Sequence, residues 1–295
     1  PVLKYLVSPW GAVLWIAVVT AALKLVLDRV DMVTNQAQGV LAPGNLFLLY
    51  GSLVVIKSLH ELGHAMVCRR FGGEVHTLGV MLLVFTPLPY MDATSSWSFR
   101  SRWQRALVGG AGMIMEIFVA ALATFIWAYT GQGILHSLAY NMMFIASIST
   151  LLFNGNPLLR FDGYYILSDL LDIPNLYPRA VRHLRHVVER YAFRYKESVS
   201  PAKSFKEASW LSVFGILSGI YRVVVFSGII FFVADKFLLA GFLMALICLV
   251  SWGVVPLFKL ANYLSSSPRL AKTRPQAVAV CVSCFVVILG FLAFC

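Results

Sequence analysis

A chain of 295 residues with 59% hydrophobic and 13% charged side chains carries more apolar surface than a soluble domain of that size can bury, so a bilayer must take part of it. The net charge of +11 would suggest a nucleic-acid partner in a soluble protein; here no nucleic acid is expected, because surplus Lys and Arg is what cytoplasmic loops of membrane proteins carry. Five cysteines are too few and too scattered for a disulfide framework, and Cys281 and Cys284 sit in an apolar run with no second pair to complete a tetrahedral metal site.

In chain order, apolar stretches able to cross about 30 Å of hydrocarbon fall at 9–27, 44–67, 106–130, 137–159, 209–233, 238–258 and 277–295. The expected fold is an all-α polytopic membrane protein of about seven transmembrane helices with a short β-strand or re-entrant element. That element runs from Glu74 to Phe85 and ends at Thr86-Pro87-Leu88-Pro89, whose prolines break any helix. It is too short to span as a helix. From Arg179 to Lys196, apolar Val181, Leu184, Val187, Val188, Tyr191 and Tyr195 alternate with arginines, the pattern of a basic amphipathic helix on an anionic leaflet. His183 and His186 on it are read as surface residues. The whole is expected as one membrane-embedded domain over 1–295. Its catalytic core lies at about 44–175, the amphipathic segment at about 178–207, and the C-terminal spans at 209–295. Pro1 and the apolar run ending at Cys295 suggest a piece of a longer chain.

Loop charge then orients the spans. Nineteen Lys and Arg fall in the segments 1–8, 68–105, 160–208 and 259–276, against Arg29 and Lys236 in the alternate loops. The N-terminus is therefore expected in the cytoplasm.

Chemistry enters at His60-Glu61-Leu62-Gly63-His64. Histidines four apart share one helix face and can hold one Zn²⁺, and Glu61 beside them can act as a general base. Such a group inside an apolar span is expensive unless it has a function. A catalytic zinc usually has a third protein ligand. Asp162, in Asn154-Gly155-Asn156-Pro157-Leu158-Leu159-Arg160-Phe161-Asp162-Gly163, ends near the same depth as His64, with Asp92, Glu116 and Asp169 as rivals. Gly109, Gly110 and Gly112 suggest close helix packing. Glu116 reads either as support for a metal ligand or as a bond to a neighbouring helix.

The two motifs together resemble the site-2 protease family of intramembrane zinc metalloproteases, which pairs His-Glu-x-x-His with a later Asn-x-x-Pro-x-x-x-x-Asp-Gly. The stretches 156–165 and 87–97 resemble its bacterial branch of peptide zinc metalloproteases, and the likeness covers roughly 45–175. The resemblance implies His60, His64 and Asp162 as zinc ligands and Glu61 as base. Asn154, with Asn156 and Pro157 nearby, would be the substrate-contact residue. It implies a bacterial cytoplasmic membrane, a peptide or membrane-protein substrate, a linked secretion-adaptor domain or exporter, and a strand at 74–85 that pairs with unwound substrate. Leu159, Arg160 and Phe161 depart from the family pattern. The alternative functions are a peptide-export platform that keeps the fold, and an ion path lined by intramembrane acids and histidines.

Overall fold

The computed structural model describes residues 8–83, 86–271 and 273–294. Lys4, Val84, Phe85, Lys272 and Cys295, which figure in the expectations above, lie outside them. The chain forms two compact units, Pro1–Pro174 and Asn175–Cys295.

In the first unit, helix α1 (Pro9–Asp28) opens with Pro9 at its first position and the Ser8 hydroxyl accepting the Gly11 amide at 3.2 Å, which satisfies one of the otherwise orphaned amides. Helix α2 (Val30–Ala37) follows, then α3 (Leu46–Arg70), the helix of His60 and His64. Gly72, at a φ of 85°, ends α3, and the Gly73 amide donates back to the Cys68 carbonyl at 3.0 Å. A glycine adopts this left-handed turn without a Cβ clash. Strands β1 (Leu78–Leu83) and β2 (Thr86–Met91) pair antiparallel, Leu83 opposite Thr86 and Leu78 opposite Met91. Helices α4 (Arg102–Tyr129) and α5 (Ile134–Ile148) complete the bundle, and α5 runs on as a π-helical turn, Ser149–Asn154. A loop then leads into α6 (Asp162–Leu171). Helix α4 packs against α1, α3, α5 and α6 and is the centre of the unit.

The hairpin corrects the sequence expectation in one respect. The run Thr86–Met91 does not end a strand; it is the second strand. The Asp92 amide donates to the Thr77 carbonyl at 3.0 Å, so in this register 77/92, 79/90, 81/88 and 83/86 are the hydrogen-bonded pairs. Pro87 and Pro89 fall at the other positions, where an amide would point away from β1, so their missing donors cost the ladder nothing. The outer edge of β2 packs on α3, where the Tyr50 hydroxyl donates to the Pro87 carbonyl at 3.2 Å.

In the second unit, α7 (Leu176–Val187) packs on α8 (Phe205–Lys236), followed by α9 (Leu238–Leu249), α10 (Val255–Ser266) and α11 (Arg274–Phe294). Ser204 caps α8 by accepting the Glu207 amide at 3.2 Å. The basic segment is helical through α7 and a π-helical turn, Val188–Ala192, and leaves the helix before Lys196, with Arg194 at a φ of 53°; of its charges Arg179 turns inward. Arg179 pairs with Glu207, and Arg185 pairs with Glu189 at 2.8 Å while lying over the Tyr263 ring. His183 is buried, not on the surface, between the hydroxyls of Ser200 at 3.0 Å and Ser212 at 3.1 Å.

Among the described residues six helical stretches are long and apolar enough to cross a membrane: Pro9–Asp28, Pro43–Arg70, Arg102–Tyr129, Ile134–Asn154, Phe205–Lys236 and Leu238–Ser266. Seven were expected. The last expected span lies in α11, in which Arg274–Val287 is a shorter apolar stretch. Large apolar side chains stand exposed along these helices, among them Trp10, Phe47, Phe231 and Phe242, so the chain is an integral membrane protein in a lipid environment.

Candidate metal centre

The site is built where α3, α4 and the start of α6 meet. Gly63 lets α3 and α4 approach closely: a Cβ there would lie 2.7 Å from the Ala111 carbonyl oxygen. That approach brings His64 Nδ1 within 2.7 Å of the Val108 carbonyl oxygen. A carbonyl only accepts, so Nδ1 carries the proton and Nε2 keeps a free lone pair. One turn earlier on α3, His60 Nδ1 lies 3.1 Å from Glu116 Oε1, and its Nε2 also faces the centre.

Three acceptor atoms therefore converge. His60 Nε2 and His64 Nε2 are 3.0 Å apart. Asp162 Oδ2 lies 3.0 Å from the first and 3.5 Å from the second, and it is buried without an aligned hydrogen bond. Lone pairs held this close repel unless a cation lies among them. An ion with four ligands at about 2.1 Å sets its ligand atoms roughly 3.4 Å apart, close to the spacing found. The residues fit a metal ion, and among the described residues His60, His64 and Asp162 are the group that can hold one. Gly112 on α4 backs the histidine pair, with no room for a side chain: a Cβ would lie 2.5 Å from both Nε2 atoms.

The rivals for third ligand are engaged elsewhere. Asp92 accepts the Thr94 amide at 2.9 Å, and Asp169 pairs with Arg105 at 2.8 Å. Glu116 reaches the back of the His60 ring, not its metal-facing nitrogen. Glu61 is half-buried, and no hydrogen bond or ion pair holds its carboxylate among the described residues, although His64, His60, Asp162 and Lys57 act on it electrostatically.

Of the expected substrate-contact residues, Asn154 is linked to the centre through Glu116. Its amide nitrogen donates to Ser149 Oγ at 3.2 Å and Glu116 Oε2 at 3.4 Å. A carboxylate accepts only, so the nitrogen must face it, and Oδ1 is the atom Asn154 offers elsewhere. Asn156 Oδ1 accepts the Leu158 amide at 2.8 Å, forming an Asx turn that fixes the loop, and Pro157 lies within that turn. Asn154, with Lys57 and Ser149, lines a cleft of about 450 Å³ whose walls include Leu49 and Leu53 of α3 and Ile145 and Ile148 of α5. Asn156 and Pro157 do not line it.

Sequence reading missed Lys57, Ser149 and Thr150, which all bond Glu116. A lysine inside an apolar span was the available signal for the first; nothing local marks the two hydroxyls. No protein-family model, no curated protein and no solved structure matches this chain.

Proposed function

We propose that the protein is an intramembrane zinc metalloprotease that hydrolyses peptide bonds of membrane-embedded or membrane-delivered peptides. The observation that carries the reading is the convergence of His60 Nε2, His64 Nε2 and Asp162 Oδ2 on one point beside an unengaged Glu61. The resemblance of the two motifs to the site-2 protease family supports it. Zinc suits two imidazoles and one carboxylate, a donor set known for catalytic zinc with an open fourth position.

When bound, zinc supplies Lewis-acid polarisation of the scissile carbonyl and acidifies water. The chain does the rest. Glu61 takes a proton from the attacking water and passes it to the leaving amine. Asn154 accepts a peptide N–H through Oδ1, a role in holding substrate and not in donating to an oxyanion. The apolar cleft between α3 and α5 excludes water and receives an apolar segment from the lipid. The outer edge of β1, with the amides of Leu78, Val80 and Leu82 unpaired by the register, takes the unwound segment as an added strand. Its side chains at 78, 80 and 82 are more than 70% exposed. The proposal extends to a cytoplasmic N-terminus in a bacterial inner membrane, and to a secretion-adaptor partner.

The test is zinc content per chain in purified wild type, Glu61→Gln and Asp162→Asn. Zinc kept in Glu61→Gln and strongly weakened in Asp162→Asn supports the site as assigned. Full zinc in Asp162→Asn removes Asp162 as a ligand, and a wild type that takes up no zinc after reconstitution favours the export-platform reading.

A further inference from the structure

Glu116 is fully buried at the middle of α4. A carboxylate withdrawn from water costs several kcal/mol unless both oxygens are well supplied with donors, and here they are. Lys57 Nζ donates to Oε1 at 2.8 Å and the Ser149 hydroxyl to the same oxygen at 3.3 Å. The Thr150 hydroxyl donates to Oε2 at 2.7 Å and the Asn154 amide at 3.4 Å. Lys57 also donates to Ser149. Three elements, α3, α4 and the π-helical turn after α5, thus meet on one anion.

This arrangement does more than neutralise Lys57. Oε1 also lies 3.1 Å from His60 Nδ1, a nitrogen that is buried and makes no aligned hydrogen bond. His64 has a backbone carbonyl to fix its ring; His60 has only this carboxylate. A π-helical turn places Ser149, Thr150 and Asn154 on the carboxylate together, the kind of local distortion that recurs where side chains must be aimed.

We propose that Glu116 is a positioning residue for the metal centre: held in place by Lys57, Ser149 and Thr150, it accepts a hydrogen bond from the Nδ1–H of His60 and so presents His60 Nε2 to the metal. The inference rests on the metal-site reading above. It also sets a task for Lys57, which holds Oε1 in place and balances a charge that would otherwise stand alone in the bilayer.

The experiment is metal affinity by chelator competition, together with the visible absorption of the Co²⁺-substituted protein, in wild type, Glu116→Gln and the charge-balanced Lys57→Gln/Glu116→Gln pair. A second-sphere partner of a ligating histidine typically contributes 10- to 100-fold in affinity. The expected result is a loss of about that size in both variants, with a shifted Co²⁺ spectrum and unchanged elution on gel filtration. The paired variant carries the test if Glu116→Gln alone does not fold. Wild-type affinity and spectrum in whichever variant folds overturns the proposal, since a carboxylate that only packs helices would leave the ligand field alone. A wild type that binds neither Zn²⁺ nor Co²⁺ overturns the metal reading and this inference with it; Asp162→Asn, expected to weaken the metal in either case, separates the two failures.

Discussion

Gly112 of α4 and His60 of α3 are in such close register that a single methyl group at position 112 would stand 2.5 Å from His60 Nε2. The glycine is therefore part of the site and not only a packing residue, because the space it leaves open is the space the ligand atoms use. Gly112→Ala should force the histidine rings apart. Overpacking of this kind costs about 1–3 kcal/mol, or roughly 10- to 100-fold in metal affinity. Isothermal or chelator titration measures it, and an Ala variant that binds as tightly as wild type would show that the rings relax freely.

Glu61→Gln should bind metal as the wild type does and lose cleavage by about 10²- to 10⁴-fold, the usual contribution of a general base. The carboxylate makes no hydrogen bond or ion pair among the described residues, so the variant's melting temperature should stay within a degree or two of wild type. Retained cleavage would move the base elsewhere.

The hairpin offers a position-specific prediction. Val80→Pro and Leu82→Pro remove amides that point away from β2, whereas Met81→Pro removes one that points toward Leu88. The first two should slow cleavage without loosening metal or altering the fold. The third should disrupt the hairpin itself. Unchanged cleavage in Val80→Pro and Leu82→Pro together would remove β1 as a docking edge.

The second unit should show an acid-sensitive step of its own. Burial alone would raise the pKa of Glu189, but hydrogen bonds from Tyr263 at 2.7 Å, Arg185 at 2.8 Å and Ser198 at 3.0 Å outweigh it and hold the group below its ordinary value of 4.5. A group with a depressed folded-state pKa adds stability above its unfolded value and loses it as pH falls through the folded one. Thermal unfolding in detergent should therefore steepen below about pH 4.5 in wild type more than in Glu189→Gln. Parallel pH profiles would show that this cluster contributes nothing to acid stability.

The sequence by itself determined the elements whose cause is local. His60 and His64 share a face because four residues make about one helical turn, and the membrane setting follows from apolar runs that no soluble core could hold. The pairing of Pro87 and Pro89 into a strand was not legible, since proline signals only where a helix cannot be; it is the register with β1 that makes their missing amides harmless. The interior place of His183 was hidden for a similar reason: its hydroxyl partners Ser200 and Ser212 belong to other segments. Tertiary structure brought Asp162, and not Asp92, Glu116 or Asp169, beside the Nε2 atoms of both histidines, and it put Glu116 behind His60 and Lys57 beside Glu116. Such choices depend on which helices meet, and at what depth. Here Gly63 and Gly112 set the meeting of α3 with α4 by the closeness they permit, a fact of three-dimensional contact that spacing along the chain does not contain.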